Sequence, residues 1–242
     1  MKKKIKIWCP SIIIGFVLIL TNSCEKDENK VEVDNKINFN PSITYSTMTD
    51  QDGNTYKTVT IGNQTWMAEN LRTTKYRNGD TIPNVTDTTQ WGNLTIGAYC
   101  NYDNIAANAP TYGRLYNWFA LKDSRSIAPS GWHVPTDGEW TTLTDILGGS
   151  VGAGGKLKET GTHHWQSPNT GATNESGFTA LPGGARYYDV YFYYIGFYGI
   201  WWSSAEYNSD RSFGWGLDYI TSNSYMFDDN KRFGFSVRCL RD

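Results

Sequence analysis

The chain has 242 residues, 39% of them hydrophobic, 15% aromatic and 19% charged, which places it among globular proteins and excludes disordered and fibrous classes. The formal charge is −2, and four lysines (Lys2, Lys3, Lys4, Lys6) lie within the first 23 residues. The remainder therefore carries 18 basic against 24 acidic residues, a balance that argues against a nucleic-acid partner.

The amino terminus reads as a targeting segment over residues 1–23. Its lysines form a positive start, and the apolar run Ile12 to Leu20 is too short for the ~20-residue helix that a ~30 Å bilayer core requires. The run ends in Leu20-Thr21-Asn22-Ser23-Cys24, which resembles a bacterial lipobox. Cys24 is then the expected lipidation site and the mature first residue, and two acyl chains would give stable anchoring in the membrane. Residues 24–47 follow as a charged, solvated tether. Its Lys26-Asp27-Glu28 cluster resembles the surface-export signal of Bacteroidetes lipoproteins, so the expected location is the outer membrane or cell surface.

From about residue 48 to residue 242 the composition turns to alternating aromatic and polar residues with frequent turn formers, as in a single domain. Tyr56 to Ile61 and Thr65-Trp66-Met67 alternate at period two around Gly62-Asn63, which predicts a β-hairpin. Asp50, Asp52 and Asn54 have some of the spacing of a calcium loop. Glycine follows directly on Asp52, however, and Ile61 stands where a closing Glu is needed, so a strand and turn are expected instead. The spacing of Leu115, Trp118, Phe119 and Leu121 predicts a helix over Tyr112 to Leu121. A second helix begins at the Thr136-x-x-Glu139 capping box, carries Trp140, Leu143, Ile146 and Leu147 as its apolar stripe, and ends at Gly148-Gly149. Residues 152–184 read as a long loop holding His163, His164 and Trp165. Four strand-like stretches close the chain, at 200–204, 212–217, 224–227 and 233–239, the last the clearest, and together they predict an antiparallel meander.

Several motifs carry a family resemblance. Gly53 to Val59, Trp66 to Leu71, Gly131-Trp132-His133-Val134-Pro135 through Trp140, Gly183-Gly184, Trp201-Trp202-Ser203-Ser204 and Gly234-Phe235-Ser236-Val237-Arg238 together resemble the Fibrobacter succinogenes major paralogous domain. That family resembles, more distantly, the formylglycine-generating-enzyme branch of the C-type lectin fold. The resemblance implies an α+β, C-type-lectin-like domain with a small twisted antiparallel sheet, two helices and long loops.

An enzyme of the formylglycine-generating kind depends on a nearby pair of copper-binding cysteines. Past Cys24 the chain offers Cys100 and Cys239, far apart in sequence, for which a structural disulfide is the plain reading in an exported protein. Ala128 stands where members of the family often have a cysteine, which leaves that pairing open. His133 is expected to be a structural hydrogen-bonding group, and the adjacent His163 and His164 are poorly placed to share a metal. No hydrolase elbow, zinc-helix or phosphate-loop motif occurs, so no catalysis, metal or cofactor is expected.

Between Tyr187 and Trp202, ten of sixteen residues are aromatic. Alternate side chains of a strand point to opposite faces, so no single strand can hide them all, and exposed rings mark recognition surfaces. Trp201 and Trp202, within the family motif, are read as mostly core. With Tyr188, Tyr191, Tyr193, Tyr194 and Tyr198 they make up the candidate ligand-binding set, and Asn208, Asp210, Asp218, Asp228 and Asp229 are the candidate acceptors for hydroxyl groups. The carboxyl region also resembles the variable segment of diversity-generating retroelement targets. The expectation is a lipid-anchored surface module that binds a glycan or protein ligand. The alternatives are an envelope enzyme related to the formylglycine-generating fold and a structural envelope lipoprotein.

Overall fold

The computed structural model describes residues 36–188 and 191–242. The targeting segment, Cys24 and most of the tether lie outside the described residues.

The first hairpin is Ser46–Thr49 (β1) and Thr55–Ile61 (β2), closed by Asp50. The Asp50 carboxylate accepts the amides of Asp52 and Asn54, the Asn54 side chain and the Tyr56 hydroxyl, so it organises a turn with its own oxygens. Gln64–Met67 (β3) pairs with β2 across Gly62-Asn63, as the alternation predicts. Strand Trp132–His133 (β6) and the terminal strand Leu240–Arg241 (β12) complete a sheet in the order β1-β2-β3-β12-β6, which sets the carboxyl end beside the start of the domain. Residues ahead of β1 are part of this body. The Asn38 amide donates to Glu159 (2.6 Å), the Asn40 side chain donates to the Asn174 carbonyl (2.9 Å), and Phe39, Ile43 and Tyr45 pack on the core. The folded unit thus takes in the last residues of the segment read as tether.

The helix expected over 112–121 is broken in two. Ala109–Tyr112 (α2) ends at Gly113, whose φ of +76° leaves the helix, and Trp118–Lys122 (α3) starts anew at Asn117, whose side chain caps the Ala120 amide. Between them Leu115–Tyr116 (β5) pairs with Tyr99–Cys100 (β4). A short helix, Thr88–Gly92 (α1), precedes β4. The second helix is found where it was expected: Asp137–Ile146 (α4) opens on a complete Thr136–Glu139 capping box, and of its apolar stripe Trp140 and Leu143 are buried, Leu147 is partly buried and Ile146 is 42% exposed. The region expected to be a long loop begins instead with a helix, Ser150–Leu157 (α5). Its glycines allow close packing, since a Cβ on Gly154 would lie 2.2 Å from the Asn223 carbonyl oxygen.

In the carboxyl half, Gly183–Arg186 (β7) pairs with Phe192–Ile195 (β8). Tyr198–Glu206 (β9), Arg211–Asp218 (β10) and Ser224–Asn230 (β11) form an antiparallel meander. The stretch 233–239 is not its fourth strand. Its backbone touches three different partners in isolated bridges, Arg186 with Gly234, Tyr116 with Phe235 and Trp201 with Ser236, as it threads between sheets towards β12.

The domain is therefore α+β with mostly antiparallel sheets, and its core divides into three aromatic-rich clusters. Two of its buried cations, Arg238 and Lys158, are held mainly by backbone carbonyls. Arg238 donates to the Phe178, Thr179 and Met67 carbonyls and to Asn70, with burial holding its pKa down at about 9. Lys158 donates to the carbonyls of Thr170, Asp218 and Thr221 at 2.8–2.9 Å. Cys100 and Cys239 are both buried and free, which corrects the disulfide expectation. They sit in different core clusters, and burial raises both thiol pKa values, that of Cys100 to about 12.

Candidate functional site: an aromatic groove on the meander

The register of the meander sets Gly216 between Ile200 and Tyr225, and Gly214 between Trp202 and Phe227. With period-two alternation, Tyr198, Ile200 and Trp202 of β9, the two glycines of β10, and Tyr225, Phe227 and Asp229 of β11 share one face. The glycines matter because the rings lie over them. A Cβ on Gly216 would come within 2.5 Å of the Tyr225 ring, and one on Gly214 within 2.6 Å of the Phe227 ring. Two flat rings thus form the floor of a groove of about 340 Å³.

Tyr187, Tyr194 and Phe235 wall this floor, with Tyr198 at the end of β9. Tyr194 has a φ of +72°, opposite Gly184 at +64° in the β7–β8 ladder. A left-handed backbone is costly for a bulky residue, by about 1 kcal/mol or more, and such outliers gather at binding sites. In this conformation its ring lies 4.9 Å from that of Tyr198.

The charge on the groove is negative. Asp228 and Asp229 line it, and among the described residues no basic side chain does. Arg211 is committed to Asp228, with Nε 2.7 Å from Oδ2. Asp229 accepts the Asn230 amide and is paired with no cation among the described residues. Burial raises its pKa, outweighing the opposing contributions of the Asn230 amide and Arg211, and the neighbouring Asp228 charge adds a smaller upward contribution. Burial, followed by the Asp218 charge, raises the phenols of Tyr198 and Tyr225, so both remain protonated donors at neutral pH.

The five tyrosines expected to contact a ligand form one connected group. Tyr187 links them: its ring centroid is 4.9 Å from that of Tyr193 and 6.1 Å from that of Tyr194, and it stacks at 4.3 Å on Phe233, against which Tyr188 also stacks at 5.3 Å. Tyr191 meets Tyr193 at 6.2 Å. Tyr188, Tyr191 and Tyr194 are exposed at 52%, 63% and 41%, so the exposure argument from sequence holds for them. Of the set, Tyr194 and Tyr198 line the groove. Trp201 and Trp202 do not belong to a contact surface. They are 1% and 0% exposed, with their indole N–H groups donating to Asn70 Oδ1 and the Tyr116 carbonyl.

Among the candidate acceptors, Asp228 and Asp229 are at the groove, whereas the side chains of Asn208 and Asp218 stabilise turns and Asp210 takes part through its backbone. Asn208 accepts the amides of Asp210 and Arg211, and Asp218 accepts those of Ile220 and Thr221. Sequence reasoning missed Tyr225 and Phe227 as a floor. The signal was the alternation Gly214-Trp215-Gly216 facing Tyr225-Met226-Phe227, which needs the strand register to be read.

His133 is held between Asp242 (2.7 Å) and Glu139 (2.9 Å). His164 shares a buried hydrogen bond of 2.7 Å with Glu159. Among the described residues, no three His, Cys, Asp or Glu side chains are grouped to hold a metal ion, and no helix is long and apolar enough to cross a membrane.

A family model described as the Fibrobacter succinogenes major domain matches residues 59–241. No curated protein and no solved structure matches the chain.

Proposed function

The chain belongs to the Fibrobacter succinogenes major domain family, and we propose that it is a binding module, lipid-anchored at Cys24 and displayed on the cell surface, that holds a glycan in the tyrosine-lined groove of the meander. The observation that carries this reading is the floor of Tyr225 and Phe227 lying over Gly216 and Gly214, walled by Tyr194 and Tyr198. Flat apolar rings suit the C–H faces of a sugar, and the phenol and carboxylate oxygens around them suit its hydroxyl groups. The anchor and its surface location rest on the lipobox-like run before Cys24 and the acidic cluster that follows it. The α+β fold is read as C-type-lectin-like, supported by the pairing of β12 with β3 that joins the two ends of the domain.

A glycan and protein array probed with the full chain in detergent tests this. Binding lost in a folded Tyr194→Ser/Tyr198→Ser variant but kept in Tyr191→Ser supports the groove, because Tyr191 is exposed yet does not line it. Equal loss in both variants would point to general adhesion by exposed rings, and no binding at all by the unaltered chain would count against the reading.

A further inference from the structure

We propose that the groove selects a sugar bearing a protonated amine, with the ammonium group at Asp229 and the sugar ring on Tyr225 and Phe227; this rests on the glycan-binding reading above. Three observations converge on a cation. Asp228 and Asp229 are lining residues of the groove, and among the described residues no basic side chain lines it. One of these, Asp228, already has its partner in Arg211, whose Nη2 also donates to the Asp228 carbonyl (2.5 Å). The other, Asp229, follows Phe227 by two positions on β11, so it stands on the same face as the aromatic floor, half-buried and without a cation.

A neutral sugar would leave that carboxylate with hydroxyl donors alone, in surroundings that already disfavour its charge. An ammonium group supplies the missing counter-charge as a charge-assisted hydrogen bond. The same group is attracted to the faces of nearby aromatic rings, an attraction that strengthens as water is excluded. A glycan carrying carboxylate or sulfate groups would meet repulsion from Asp229.

The test uses two probes that differ in charge and in the acetyl group: a glucosamine oligomer and its fully N-acetylated counterpart, titrated calorimetrically against the full chain in detergent at low salt. The expected result is binding of the glucosamine oligomer about tenfold tighter or more. The preference should fade as salt is raised, and Asp229→Asn should abolish it while leaving the weaker affinity for the acetylated oligomer. Equal binding of the two oligomers would overturn the amine inference and leave the glycan-binding reading standing. If neither binds, the inference falls, and the array decides separately whether the glycan reading falls with it. A lysine oligopeptide that binds more tightly than the glucosamine oligomer would also overturn it, by assigning the cation to a protein partner.

Discussion

The two faces of the β9–β11 sheet are built from similar residues, with rings at alternate positions, yet one face is closed and the other is partly open. On the closed face Trp201 and Trp215 lie under Trp140 of α4, with ring centroids about 6 Å apart. Their N–H groups are satisfied by Asn70 and by Asp137 at the start of that helix. On the other face Trp202 is sealed by Phe235 at 4.3 Å, but past Ile200 nothing covers Tyr198, Tyr225 and Phe227 completely. The difference lies in the covering element and in the ring type. Tryptophans meet a capped amphipathic helix, whereas tyrosines, whose hydroxyl groups tolerate water, line an open groove whose floor rings lie over glycines. Aromatic content alone therefore does not tell core from surface here.

The largest expected effect belongs to the closed face. Trp201→Ala removes a fully buried ring and one of the two hydrogen bonds that Asn70 Oδ1 accepts, the other coming from Arg238, for an expected loss of ~3–5 kcal/mol, read as a fall in the urea midpoint. Tyr198→Ala on the open face should cost much less. If the two losses proved equal, the contrast between the faces would collapse. Gly216→Ala comes next. The new methyl group would meet the Tyr225 ring at 2.5–2.8 Å, so the ring must lift, at ~1–3 kcal/mol, and the floor of the groove should be lost along with ligand binding.

The closed face was more legible in the sequence than the open one. The capping box at Thr136 and Glu139 announces α4 and its apolar stripe, because both signals are local. The hairpin around Gly62-Asn63 was legible for the same reason. Where the reading failed, long-range contacts had decided the structure. Leu115, Trp118 and Leu121 have helical spacing, but Gly113 and Asn117 cut the segment, and Asn117 is tied to the Ala98 amide as well as to its own helix. Residues 233–239 alternate like a strand, yet each bridge they make goes to a different sheet. The groove was half legible. Counting rings between Tyr187 and Trp202 showed that some had to be exposed, but the floor comes from β11, whose place is fixed by register alone. Cys100 and Cys239 show the same limit, since sequence separation said nothing of the two clusters that bury them.

Tyr194 sharpens the comparison from the open side. Its left-handed backbone is an expense that no closed-face ring of the meander bears. Tyr194→Gly relieves about 1 kcal/mol of backbone strain while giving up ring contacts, so thermal stability should stay within about 1 kcal/mol of the unaltered chain. Ligand binding should nevertheless be lost. A large fall in stability would instead make Tyr194 a packing residue and weaken its assignment to the groove.

The smallest effect is a pH dependence confined to the closed side. His133 joins Glu139, in the first turn of α4, to Asp242 at the chain end, and so helps to seat the helix that covers Trp201 and Trp215. Burial alone would lower its pKa, but the hydrogen bonds to Asp242 and Glu139 outweigh it, and the folded value is raised above 6.5. A histidine whose pKa is raised by folding stabilises fully below its unfolded pKa, and that contribution disappears as pH rises through the folded pKa. The side chain is 36% exposed, so solvent screening should hold the effect below about 1 kcal/mol. Urea midpoints taken from pH 6 upwards should therefore fall slightly more in the unaltered chain than in His133→Gln. Near-ultraviolet circular dichroism should assign the change to tryptophan rather than tyrosine signals, because it is the seat of α4 that loosens and not the groove.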